Sequence, residues 1–160
     1  MKITPMPQQV VVTNCDWFPT NHIIISITET SKYLPEFKKN KNRMGLLRLH
    51  FHDVDTIKEG YLHFTKDHAK QIVEFVNRHK ERIEEIIIHC TAGFSRSPGI
   101  AAALAKGLFN QDDDKYFYNF SPNRLVYRTL LEYITNSYPQ PTSKTCDCCG
   151  KKTPTGGYST

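Results

Sequence analysis

No apolar run in this 160-residue chain approaches the roughly 20 residues needed to span a bilayer. The opening Met1-Lys2-Ile3-Thr4-Pro5 also lacks the apolar stretch of a signal peptide. A cytoplasmic protein with no membrane partner is the expectation. Internal repeats are missing, which excludes a repeat array. Cysteine is sparse and odd in number: the five, at positions 15, 90, 146, 148 and 149, are not spaced like a disulfide framework. A reducing compartment fits that pattern and would keep a catalytic thiol usable. No second cysteine pair accompanies Cys146-Asp147-Cys148-Cys149, so the four ligands usual for structural zinc are not evident. Metal binding, redox sensing and a plain flexible tail stay open for that segment; no metal or cofactor is expected elsewhere. Aromatic residues are absent from the basic run Lys38-Lys39-Asn40-Lys41-Asn42-Arg43, so it reads as solvated surface and no nucleic-acid partner is expected.

What is present suits one soluble domain. Apolar residues make up 39% and charged residues 23%, ordinary globular values. The net charge of +5 suits an anionic substrate without requiring one. Residues 1–139 form the expected domain. From Gln140 onward Thr, Ser, Gly, Pro and Lys dominate, so 140–160 reads as a cysteine-containing, flexible tail.

Val10-Val11-Val12 and Ile23-Ile24-Ile25 read as short strands, separated by a turn marked by Asn14, Asp16, Pro19 and Asn21. Pro35 to Arg43 reads as a basic loop or short helix. Leu46 to Phe51 is a third strand, ending in the polar cluster His52-Asp53-Val54-Asp55-Thr56. Thr65 is a candidate N-cap for a helix whose Ala69, Ile72, Val73, Val76 and Ile83 recur at near-helical spacing. Glu85 to His89 is a continuous apolar strand of the kind covered on both faces. A helix follows from near Ser97 through Ala101 to Ala105. Asp112-Asp113-Asp114 reads as a solvated loop. A last helix spans about Asn123 to Tyr138, with Leu125, Leu130, Leu131 and Ile134 inward, and Pro139 and Pro141 end it. Strands alternating with helices predict an α/β fold, a central and mainly parallel sheet flanked by helices.

Cys90 lies between a buried strand and a helix. Ligands of open α/β sheets bind at the carboxyl ends of strands, and a helix N-terminus offers free N–H groups and partial positive charge to an anion. Residues Thr91, Ala92, Gly93, Phe94 and Ser95 separate Cys90 from Arg96. A loop of that length can wrap its amides around a tetrahedral phosphate, with Gly93 allowing the backbone twist. Arg96 can grip two phosphate oxygens at once. The same field favours the Cys90 thiolate, making it a nucleophile at neutral pH.

His89-Cys90-Thr91-Ala92-Gly93-Phe94-Ser95-Arg96-Ser97 resembles the signature loop of the cysteine-based protein phosphatases, His-Cys, five residues, Arg, then Ser or Thr. The size and element order resemble the compact dual-specificity branch from about Val10 to Tyr138. Ser121-Pro122-Asn123 matches a dual-specificity pattern as well. The resemblance implies Cys90 as nucleophile and Arg96 as phosphate clamp. It implies that Ser97 assists departure of the thiolate, that His89 orients the loop and tunes the thiol, and that Asn123 steadies the loop.

The chemistry also needs a proton donor for the leaving oxygen and a base for the hydrolytic water. Asp53 and Asp55 are the candidates; counting forward from the strand favours Asp53, with the other as a turn or cap residue. The implied activity is a metal-independent phosphatase acting on a phosphorylated protein at phosphotyrosine, with phosphoserine or phosphothreonine as further targets. A related enzyme for RNA 5′-ends, nucleotides, sugar phosphates or inositol phosphates is the alternative, and a catalytically silent phospho-residue-binding module is the third. The signature loop has no lysine among Thr91, Ala92, Phe94 and Ser95, which suits a singly phosphorylated substrate better than a polyphosphorylated inositol.

Overall fold

The computed structural model describes residues 1–138. Its elements run β1 (Lys2–Pro7), α1 (Gln8–Asn14), β2 (His22–Thr28), β3 (Arg43–His50), α2 (Lys66–His79), β4 (Glu85–Cys90), α3 (Arg96–Phe109), α4 (Asp114–Asn119) and α5 (Arg124–Ser137). The four strands form one sheet in the order β1-β4-β2-β3, and every pairing is parallel. The α/β expectation holds.

The isoleucine runs explain the layering. Side chains alternate across a strand, and β2 and β4, the two inner strands, are buried along their whole length. Ile23, Ile25, Ile27, Ile86 and Ile88 join the main core with residues of α2, α3 and α5. Ile24 and Ile87 face the other way and pack with Val11 of α1, alongside Phe18 and Phe37. Helix α3 is buried from Arg96 to Ala105; its alanines let it lie close to β4, β1 and α5.

One expectation about the N-terminus is corrected. Val10-Val11-Val12 is not a strand but part of helix α1, in which only Val11 is buried. One buried valine, Val11, is all this short helix needs to cover Ile24 and Ile87. The strand lies earlier, in β1, whose two prolines disguise it. Pro5 and Pro7 have no N–H for a ladder, a defect tolerated on an edge strand such as β1.

Thr65 caps α2 as expected, in a reciprocal box in which His68 takes the place usual for Glu or Gln. The helix ends at His79, however, so Ile83 is buried from the connection to β4 rather than from the helix. In α5 the inward positions are Val126, Leu130 and Ile134, while Leu125 and Leu131 are half-buried. The 112–114 run is not simply solvated. Asp113 is buried and accepts a hydrogen bond from the Tyr127 hydroxyl at 2.6 Å, and Asp114 opens helix α4.

The register aligns Pro7 with Cys90, and Ser26 with both His89 and Arg48. The carboxyl ends of all four strands therefore reach one edge of the sheet. No helix among the described residues is long and apolar enough to cross a membrane. Cys146, Cys148 and Cys149 lie outside the described residues, so the expectations for the tail are not addressed by the structure.

Candidate functional site

At that edge the 91–95 segment curls between β4 and α3. Gly93 has φ +70°, and a Cβ there would sit 2.3 Å from the Pro7 nitrogen and 2.4 Å from the Met6 carbonyl carbon. Both the left-handed conformation and the contact with the β1–α1 junction require glycine. The loop's carbonyls are tied outward: Thr91 O accepts from Gln8 N at 3.3 Å, Phe94 O from Ser121 N at 3.1 Å, and Ser95 O from Asn123 N at 2.9 Å. Among the described residues no amide of 91–95 donates to another backbone group outside the loop. Carbonyls bonded to neighbouring segments leave the loop amides free for an anion, as in an anion-binding concavity.

Cys90 is buried beneath this loop, with Sγ 3.2 Å from the Ser97 hydroxyl. Burial alone would raise its thiol pKa. The Ser97 hydroxyl, the Ser97 N–H, the Arg96 charge and the Gly93 N–H together outweigh burial and hold it below the ordinary value.

Arg96 begins α3 and is 3% exposed. One terminal nitrogen donates to Phe51 O at 3.0 Å; the other donates to Thr91 Oγ1 at 3.1 Å and lies 3.5 Å from Glu29 Oε1. Its buried Nε has no hydrogen-bond partner among the described residues and lies 3.9 Å from Asp53 Oδ2. Held at its far end and free at Nε, the guanidinium is set to meet an incoming anion.

The structure separates the two aspartates. Asp53 Oδ1 accepts from Ser95 Oγ and from Asn123 Nδ2, both at 2.8 Å, which places the carboxylate beside the loop. Asp55 Oδ1 instead accepts from Arg124 N at 3.3 Å and serves the start of α5. Asn123 joins these parts. Its Oδ1 caps α5 through Val126 N at 3.0 Å, and its Nδ2 also reaches Val54 O at 3.2 Å. A Cβ on Gly99 would come within 3.0 Å of Asn123 O, so the close approach of α3 and α5 also rests on a small residue.

His89 stands apart from this cluster. Its ring packs at 5.7 Å from the Phe37 ring on the opposite face of the sheet. Neither ring nitrogen makes a hydrogen bond among the described residues. Burial first, then the Arg48 and Arg96 charges, push its pKa down to about 4 against the pull of the Cys90 backbone, so it is neutral at pH 7. Thr91, Ala92 and Phe94 are exposed at the mouth of the loop, and Phe94 meets Phe120 edge-on at 6.3 Å.

Glu29 and the Phe51 carbonyl, both partners of Arg96, were not marked by the sequence, whereas Thr91 was, as part of the loop. Glu29 directly follows the end of β2, the position at which ligand-facing groups gather in such sheets.

No protein-family model matches the sequence, and no curated protein matches it. Solved structures do match in fold. The chain is similar to PTPMT1 in complex with PI(5)P, at 17% identity and TM-score 0.56, over 84% of this chain and 91% of that one. It is similar to a human tyrosine phosphatase-like serine/threonine/tyrosine-interacting protein at 18% identity and TM-score 0.53, over 83% and 87%. Human DUSP28 matches at 12% identity and TM-score 0.57, over 84% and 89%. The chain therefore has the fold of the compact dual-specificity phosphatases.

Proposed function

We propose that this chain is a phosphoric monoester hydrolase acting on phosphotyrosine in a protein substrate, through a phospho-cysteine intermediate and without a metal. The observation that carries the reading is the Cys90 sulfur, its pKa lowered, lying within reach of Ser97 and of the Gly93 N–H, at a loop whose Thr91, Phe94 and Ser95 carbonyls bond to neighbouring segments. A phosphate in that hollow meets the Arg96 Nε and the loop amides of Thr91, Ala92, Gly93, Phe94 and Ser95. The Cys90 thiolate attacks phosphorus; the P–O bond to the leaving group breaks, and the leaving oxygen takes a proton from Asp53. Asp53 Oδ1 already accepts two hydrogen bonds, which leaves Oδ2 to carry that proton. Water then attacks the phospho-cysteine, losing its proton to Asp53, while the Ser97 hydroxyl stabilises the departing thiolate. Inorganic phosphate and the dephosphorylated side chain are the products. Asn123 positions Asp53, and His89 acts only indirectly, as a neutral side chain packed beneath the strand end.

A fold shared with a phosphatase-like interacting protein does not itself imply turnover. Support for catalysis comes from Cys90, Arg96 and Asp53 standing together. PTPMT1 was captured with PI(5)P, which makes a phosphoinositide the second reading. The lack of lysine in the 91–95 loop favours the singly phosphorylated side chain.

Cys90→Ser abolishes turnover of an aryl phosphate while vanadate still binds, and turnover by the wild-type protein persists in EDTA. Retained turnover in Cys90→Ser, or a strict metal requirement, contradicts the proposal. A panel of phosphopeptides beside phosphoinositides and nucleotides separates the two readings.

A further inference from the structure

Residues 51–65, between β3 and α2, contain no helix or strand, and Asp53 lies near their start. Loops beyond about 12–15 residues with no regular structure are uncommon and usually functional. This one is closed at its base by His52. The His52 N–H donates to Leu62 O at 2.8 Å, and its ring Nδ1 accepts from Leu62 N at 2.9 Å. The His52 carbonyl is already taken by Val54 N at 3.1 Å. The ring therefore supplies the acceptor that a neighbouring carbonyl would supply in a strand pair. Two bonds to one residue pin the neighbour of Asp53 and enclose residues 53–61.

The clasp fixes the protonation of the ring. Leu62 N–H needs a lone pair, so Nδ1 is bare and the proton of the neutral imidazole sits on Nε2. A second proton, on Nδ1, sets N–H against N–H and breaks the bond. Imidazole is the side chain whose charge ordinarily changes between about pH 5 and 8. His63 lacks this sensitivity: its Nε2 meets Lys58 N at 2.8 Å and Lys58 O at 2.7 Å, so a partner remains in either charge state. His68 Nδ1 accepts from Thr65 N at 3.1 Å, but at the far end of the loop, as part of the α2 cap.

The charged and titratable groups near His52 have partners or positions of their own. Tyr61 meets the ring edge-on at 5.4 Å, and Lys58 and Glu59 share the enclosed segment. The Asp53 carboxylate is held by Ser95 and Asn123, with Arg96 at 3.9 Å, and Asp55 is held by Arg124 N. His50 is bonded to the Thr28 hydroxyl at 2.8 Å. Among the described residues His52 makes no ion pair and no ring hydrogen bond besides that from Leu62.

We propose that His52 is a positioning residue for the acid Asp53: its neutral ring closes the base of the acid loop, and its protonation releases it. This role rests on the phosphatase reading and deepens it, adding a loss of acid catalysis as the pH falls.

The test compares full-length wild-type, His52→Asn and His52→Phe proteins on two substrates. Phenyl phosphate has a leaving group that needs a proton; p-nitrophenyl phosphate needs it far less. Asn carries Oδ1 near the Nδ1 position and does not titrate, while Phe keeps a ring without an acceptor. At about pH 8, His52→Phe is expected to lower kcat/KM for phenyl phosphate about 10–100-fold, as a misplaced catalytic group does, and His52→Asn to restore it. From about pH 8 to pH 5 the ratio of His52→Asn to wild type on phenyl phosphate rises about tenfold, while the ratio on p-nitrophenyl phosphate stays nearly level. Taking the ratio cancels the ionisations of Cys90, Asp53 and substrate.

A level phenyl phosphate ratio across that range, or wild-type rates in His52→Phe, overturns the proposal. An equal loss on both substrates in His52→Phe also overturns it, since that marks a general structural defect. Long-range proton–nitrogen NMR on wild-type protein labelled at histidine nitrogen needs neither variant. It is expected to show a bare Nδ1 and a protonated Nε2 on His52, and a Leu62 amide signal that moves as His52 titrates; a protonated Nδ1 in the neutral ring overturns the clasp. If the wild-type protein turns over neither substrate, the phosphatase reading fails, and the NMR result alone decides whether His52 closes the loop.

Discussion

The Asn123 side-chain amide donates to Asp53 Oδ1 at 2.8 Å, linking the loop after β3 to the cap of α5. The same asparagine binds the Ser95 carbonyl through its backbone, so one residue sets the carboxylate against the phosphate loop. Asn123→Ala removes a helix cap and a buried partner together. The expected loss is about 1–3 kcal/mol in urea unfolding, with slower turnover of unactivated phosphates. Unchanged stability and unchanged rate would contradict this positioning role.

The two aspartates separate in kinetics. Asp53→Ala is expected to lower kcat/KM for poor leaving groups by about 10²–10⁴, and less for activated aryl phosphates that depart without a proton. Asp55→Ala loses only its hydrogen bond to Arg124 N and a small part of α5's stability. A reversal of the two patterns moves the acid by two residues.

Gly93→Ala meets both a left-handed backbone and a 2.3 Å contact with Pro7 N. It is expected to distort the loop and abolish activity even where circular dichroism shows a folded sheet. An active, vanadate-binding variant contradicts the close approach of the loop and the β1–α1 junction.

Stability should fall in mild acid. His89 titrates near 4 when folded and near 6.5 when unfolded. Between those values the unfolded chain binds more protons, so stability is fully present above about 6.5 and is lost as the pH drops toward 4. The shift corresponds to about 3 kcal/mol at about 1.4 kcal/mol per unit. His22 and His68, also lowered chiefly by burial, act in the same direction. His89→Leu is expected to flatten part of this slope in urea titrations at pH 4–7; an identical slope contradicts the buried neutral ring.

How much of this was readable from residues depends on the range of the interaction. Ile23 to Ile25, Glu85 to His89 and the Thr65 cap are local signals, and each lies in the predicted element. The Cys90-to-Arg96 loop is contiguous, so its curl was legible too. Val10 to Val12 misled because a β-branched run favours a strand, while tertiary packing buries only Val11 of a short helix. Pro5 and Pro7 hid β1 because tolerance of proline depends on lying at a sheet edge, which only the strand order reveals. Asp53 and Asp55 look alike in sequence; distant Asn123 and Arg124 distinguish them. Glu29 beside Arg96 is invisible without the fold.

The most direct test is a rapid acid quench of the wild-type and Ser97→Ala proteins turning over an aryl phosphate, followed by peptide mass spectrometry. The account predicts phosphate on Cys90, accumulating further in Ser97→Ala because thiolate departure is slowed. Release of the aryl alcohol with Cys90 unmodified in both proteins would contradict it.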